Sequence, residues 1–218
     1  MRYVDRSGPV KLGFPTPIFH HCWPAGETGP VNAALKAAIL ARREEAPGTE
    51  LSNVGGWQSE PDFMDWEVPE LESLRRWIHQ AFGAIMDCEL GTSAFDSKYV
   101  VNGWANINEY GDYNRTHIHS NNHWSGVYYV DLGKPDKSIG PNGAIEFIDP
   151  RPAVGVLDLP GITASGTWTI MPEPGLMLMF PSWLRHSVLP YYGESSRITI
   201  AFNLRVGGLT LREETAGG

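Results

Sequence analysis

Three histidines and one arginine carry the chemistry this sequence can do. His117 and His119 lie two positions apart in a segment rich in strand-forming residues, and side chains at i and i+2 of a strand share a face. Both imidazoles can therefore meet one metal ion, and His186, far downstream, supplies a third nitrogen from another strand. Three protein ligands on one side leave coordination positions open for substrate and dioxygen, which separates a catalytic site from a closed structural one. Imidazole ligands suit iron, copper, nickel or zinc, so ligand type alone does not choose the metal. Beyond His186, Arg197 adds a fixed cation that can hold a carboxylate bidentately.

Two imidazoles on one strand face are costly to bury without compensation, which favours a metal over a packing role. His186 follows the apolar run Gly175 to Phe180 and a Pro181 turn, which sets it at the start of the next strand. Thr199 shares a strand face with Arg197, and both can donate to the same carboxylate. Because Ile198 to Leu204 is otherwise apolar, a charged residue beginning that strand needs a partner. Asp112, Asp131 and Glu146 are carboxylates that could replace one imidazole at the metal, with Glu146 the first to check. His123 reads as lying behind the ligands or facing solvent.

These residues need elements to position them. Apolar residues at helical spacing predict amphipathic helices over Val31–Arg43 and Glu67–Met86, with Pro69 in the first turn of the second. Between them, Ser52 to Ser59 is a polar, Gly-rich loop or short strand around Trp57. After about residue 93 the pattern changes to short segments rich in Val, Ile, Tyr, Trp and Thr, punctuated by Gly, Pro, Asn and Asp. Strands are predicted over Ser97–Glu109, Arg115–His119, Trp124–Asp131, Ala144–Ile148, Gly166–Met171, Leu176–Phe180, Arg185–Pro190 and Arg197–Arg205. Strands without intervening helices predict a mainly β fold with flanking helices, a jelly-roll or double-stranded β-helix of the cupin-like kind. Residues 1–206 form one domain, with 1–92 as a helical and loop cover, 93–206 as the β core, and 207–218 as a tail.

The 218 residues can bury a sizeable core as one domain. A formal net charge of -8 gives no basic footprint for nucleic acid or an anionic membrane, so the expected partner is a small molecule or a protein side chain. No apolar leader or spanning segment stands out, which predicts a cytoplasmic protein. Cys22 and Cys88 read as free thiols, and neighbouring His20 and His21 point to opposite strand faces, which argues against a metal cluster there. Oligomeric state is left open by the sequence, a homodimer being the commonest assembly among soluble oligomers.

His117, His186, Arg197 and Thr199 match the pattern of the 2-oxoglutarate- and Fe(II)-dependent oxygenase superfamily: His-x-Asp/Glu, a distal His, then Arg-x-Ser/Thr. The stretch Asn142 to Phe147 resembles that superfamily's Gly-rich strand. Further segments resemble a bacterial and phage subgroup: Phe14 to Ile18, Ser52 to Ser59, Ser125 to Val130, Phe180-Pro-Ser-Trp183 with His186, and Arg197 through Asn203. The resemblance covers nearly the whole chain.

It implies a double-stranded β-helix holding Fe(II) on His117, His119 and His186, with 2-oxoglutarate as cosubstrate. Arg197 and Thr199, joined by Asn108 and Tyr110, would bind the cosubstrate. Asn106, Trp124, Tyr128 and Arg151 are candidates for the substrate pocket. The implied reaction hydroxylates a substrate and releases succinate and CO2. One departure stands out: His119 occupies the usual acidic position. Three-histidine sites also occur in cupin-type dioxygenases that use no 2-oxoglutarate, and the spacing of Gly111, His117 and His119 resembles a cupin motif. A cupin-type dioxygenase or isomerase, and a non-catalytic jelly-roll binding module, are the rival expectations.

Overall fold

The computed structural model describes residues 14–152 and 166–212. In chain order the elements are β1 (Phe19–Cys22), α1 (Ala25–Glu45), β2 (Asn53–Val54), β3 (Trp57–Gln58), a 3-10 turn (Phe63–Asp65), α2 (Leu71–Leu90), β4 (Phe95–Asn108), β5 (Tyr113–His117) and β6 (Trp124–Asp131). They continue with β7 (Ile145–Ile148), β8 (Thr167–Ile170), β9 (Leu176–Pro181), β10 (His186–Val188) and β11 (Arg197–Leu211). Two sheets face each other. A six-stranded sheet runs β1-β9-β6-β11-β4-β3, and a five-stranded sheet runs β2-β5-β10-β7-β8. Neighbouring strands are antiparallel throughout. This is the expected jelly-roll.

The helices cover the outer face of the six-stranded sheet. On α2, Leu71, Leu74, Trp77, Ile78, Ala81, Phe82 and Ile85 are buried at three- and four-residue steps, one continuous stripe. Tyr128, Ile198, Ile200, Phe202 and Leu204 of the sheet meet that stripe in one apolar cluster. A second cluster between the sheets contains Tyr129, Ile145, Phe147, Leu178 and Phe180. Strands of the six-stranded sheet are thus buried on both faces, which explains their near-continuous apolar runs. The helix α2 ends at Gly91, whose φ of 69° lets its N–H close back on Asp87 O.

The predicted strands are all present, but the N-terminal segment is more than a cover. It contributes β1 and β3 as the edges of the larger sheet and β2 as an edge of the smaller one. Two of these strands have two residues each, too short for a period-2 pattern to register. The helix α1 begins earlier than predicted, at Ala25, because its Gly- and Pro-containing start masks the periodicity. Pro69 precedes α2 and accepts the N–H of Glu72 through its carbonyl. Residues 207–211, expected in the tail, instead continue β11 against the start of β4, down to Leu211 opposite Phe95. Residues 213–218 lie outside the described residues.

Gly126 lets β6 pass close behind Phe202. A Cβ there would lie 2.3 Å from Cζ of the buried Phe202 ring and 2.6 Å from Leu178 O. Gly126→Ala is expected to cost about 1–3 kcal/mol through overpacking. Thermal denaturation should show a fall of several degrees, and an unchanged melting temperature would contradict this packing.

Candidate functional site

Paired strands of the smaller sheet bring the histidines together. His186 opens β10 directly opposite His117 at the end of β5. β5 stops at His117, so His119 lies just beyond the strand rather than in it, and its N–H donates to Ser182 O at 2.9 Å. The same convergence is reached through that loop contact. The candidate ligand atoms of His117, His119 and His186 all lie within 4.8 Å of one another.

The imidazoles are set up for a cation. Nδ1–H of His117 donates to Arg115 O at 2.7 Å, and Nδ1–H of His186 donates to Leu184 O at 2.9 Å. Each bond fixes the tautomer and leaves Nε2 with its lone pair. Nε2 of His119 lies 3.3 Å from Nε2 of His186, a separation at which two such nitrogens share a proton or a metal ion. Burial, with the charge of His117 second, pushes His186 down to about 3. His119 is pushed down to about 4 by the same causes, and burial also lowers His117. All three are neutral at neutral pH, the form that binds metal.

A small cavity of about 50 Å³ joins the histidines to Arg197, Thr199 and Asn106. Arg197 is 2 % exposed and has no acid within ion-pair reach among the described residues. One of its terminal nitrogens donates to Asn108 Oδ1 at 3.0 Å, its guanidinium carbon lies 5.3 Å from the Tyr129 ring centroid, and its Nε is buried without a partner. Burial lowers the Arg197 pKa, and the same burial raises Tyr129 to about 12 despite the neighbouring cation. In front of the histidines lies a wider groove of about 720 Å³, lined among others by Ser52, Gln58, Trp104, Arg115 and Asn203.

Several expected site residues fall elsewhere. Glu146 pairs with Ser187 on the opposite strand face from His186, whose partner is Phe147, so the alternation of β7 turns the carboxylate away from the metal group. Tyr110 is 71 % exposed and packs against Tyr192. Tyr128 points under the helices, where its hydroxyl donates to Asn32 and its ring meets Trp77. Trp124 shares that face and packs on the helix-side cluster. Arg151 pairs with Asp149 on the surface, beside a different cavity. The loop Leu132–Asn142 lines a cavity of about 210 Å³ on which Arg197 also borders. Residues of the loop Ser52–Pro61 border the groove.

Trp104 lines both cavities, with its ring 5.6 Å from that of His119. Its place two positions before Asn106 was the available signal. Ser52, from the Gly-rich segment singled out in the sequence, and Asn114, which nothing in its local sequence marks, also border the inner cavity.

The jelly-roll thus sets three converging imidazoles that could hold a metal ion beside a buried arginine with no acid within ion-pair reach among the described residues. Residues 102–203 match the family described as "Putative 2OG-Fe(II) oxygenase", an enzyme family that works with Fe(II) and 2-oxoglutarate. That stretch holds all three histidines and Arg197. No curated protein matches the sequence.

Solved structures share the fold at low identity. A Pseudomonas putida prolyl-4-hydroxylase is 18 % identical with a TM-score of 0.58, over 88 % of this chain and 93 % of that one. The non-haem alpha-ketoglutarate-dependent carbocyclase SnoK of nogalamycin biosynthesis is 12 % identical with a TM-score of 0.60, over 93 % and 85 %. A Trichoplax adhaerens prolyl hydroxylase, solved with a hypoxia inducible factor peptide, is 12 % identical with a TM-score of 0.55, over 87 % and 83 %.

The lowered histidines set a sign for acid stability in the metal-free protein. Between the unfolded value near 6.5 and the folded values near 3 and 4, the unfolded chain binds more protons. Stability is therefore complete above about pH 6.5 and declines as pH falls, by roughly 1.4 kcal/mol per pH unit for each histidine. Denaturant titrations with chelator from pH 7 to 4 should show this slope, and the double variant His119→Gln/His186→Gln should lose most of it.

Proposed function

We propose that the protein is a 2-oxoglutarate- and Fe(II)-dependent dioxygenase that hydroxylates a small molecule or a protein side chain, with succinate and CO2 as co-products. His117, His119 and His186 would hold the iron. Bound there with 2-oxoglutarate, the metal supplies the dioxygen-activating chemistry of the family, and the chain's own residues bind, orient and exclude water. The observation that carries this reading is Arg197: a buried guanidinium with an unpartnered Nε, facing the same cavity as the three imidazoles. A buried cation without an acid calls for an anionic ligand, and the distal carboxylate of 2-oxoglutarate meets that need. Thr199 borders the same space and adds a hydroxyl, while Asn108 holds the guanidinium in place.

His119 favours a second reading. A neutral imidazole where the superfamily has a carboxylate leaves one more positive charge at the metal, as in the cupin-type dioxygenases that dispense with 2-oxoglutarate. The net charge of -8 argues against a nucleic-acid substrate, and no helix among the described residues is long and apolar enough to cross a membrane. Free Cys22 and Cys88 suit a cytoplasmic setting.

Anaerobic addition of Fe(II) and then 2-oxoglutarate should produce the weak visible charge-transfer band of the chelate. In Arg197→Gln the 2-oxoglutarate dissociation constant should rise on the order of 100-fold, for a loss of about 3 kcal/mol in charge-assisted bonding. No band, or an affinity indifferent to this substitution, would hand the site to the cupin-type reading.

A further inference from the structure

The face of the larger sheet that carries Arg197 continues outward to a second polar group with no role in holding the cosubstrate. Along β11 and β4, cross-strand partners run Arg197–Asn108, Thr199–Asn106, Ala201–Trp104 and Asn203–Asn102. At about 6.7 Å per two residues, Asn203 stands roughly 13 Å beyond Thr199, with Trp104 and the histidines between them. Asn203 borders the groove in front of the metal group and is only 6 % exposed.

Its carboxamide is held in a defined direction. The Ser125 hydroxyl donates to Asn203 Oδ1 at 2.7 Å. Having spent its one proton, Ser125 accepts from the Ser182 hydroxyl, also at 2.7 Å. The relay from Ser182 through Ser125 consumes the amide oxygen, and Nδ2 has no hydrogen-bond partner among the described residues. Arg197 Nε is the buried side-chain atom left without a partner among the described residues, so the Asn203 N–H donor is not sealed off: it opens onto the groove, where an entering group can accept from it. Ser182 also receives the N–H of His119 on its backbone oxygen, so one residue steadies both the amide and the metal ligand.

Taking the oxygenase reading as its basis, we infer that Asn203, with Asn102 across from it, is the substrate-orienting subsite and that it takes a neutral carbonyl or amide group. The charged side chains on this groove, Arg115 and Glu60, are one of each sign, which gives no cluster for a phosphate or carboxylate. Exposed Leu51 and Ile118 supply apolar contact around the amides. The amide comes from a peptide backbone or from a small carboxamide.

Two compound sets separate these sources: acetyl- and amide-capped pentapeptides, and small primary and secondary carboxamides. Each is screened for stimulation of 2-oxoglutarate turnover by the Fe(II)-loaded protein, after its chelate band has been recorded. Members of one set should stimulate, and that set identifies the source. Asn203→Asp, which replaces the donor by an acceptor, should lower kcat/KM for a stimulating compound at least tenfold, chiefly through KM. Ser125→Ala, which frees the carboxamide to turn, should lower it several-fold in the same direction, and it serves if the first variant does not fold. A stimulating compound whose KM ignores these substitutions overturns the inference. So does a wild-type protein that forms the chelate but responds to neither set. Absence of the chelate itself brings down the oxygenase reading and this one with it.

Discussion

Everything at this site hangs on the register of β11 against β4. That one antiparallel pairing runs from Arg197 opposite Asn108 to Leu211 opposite Phe95, and it decides which face each side chain meets. Ile198, Ile200, Phe202 and Leu204 go to the helix side, while Arg197, Thr199, Ala201 and Asn203 go to the cavity side. Because side chains alternate with period two, a slip of one residue would bury the arginine under the helices and open the isoleucines to the cavity. The apolar stripe of α2 opposes such a slip, so core packing enforces the register that sets Arg197 toward the cavity.

The metal group depends on that frame through the smaller sheet. Apolar residues of β9, with Phe147 of β7, fill the space between the sheets and present His186 opposite His117. Desolvation then keeps the imidazoles neutral, and the same desolvation leaves Arg197 short of a partner. Burial thus prepares both halves of the site: lone pairs toward a metal and an unanswered cation toward an anion.

Much of this was legible from residue types and spacing. The strands of the core, the two helices, His117 opposite His186 and the shared face of Arg197 and Thr199 follow from period-two and period-3.6 patterns and from the cost of burying polar groups, whereas His119 reaches the group from just beyond its strand. What escaped was decided by partners far away in sequence. Trp124 and Tyr128 lie on the helix face of β6, while Tyr129 of the same strand faces the inner cavity, and sequence could not choose between the two faces of a strand that is apolar on both. Glu146 was a reasonable ligand until its pairing with Ser187 fixed its direction. Strands β1, β2 and β3 are too short or too polar to announce themselves, and they form only because a longer neighbour offers an unpaired edge.

The tautomers of His117 and His186 are set by backbone oxygens two residues earlier, those of Arg115 and Leu184. Many metal sites orient their imidazoles with an acidic side chain, which must then be retained wherever the metal is. Here the main chain does that work, and it is the same whatever side chains Arg115 and Leu184 carry. Groove residues can therefore change without turning these imidazoles, which separates variation in the groove from the upkeep of the histidine group.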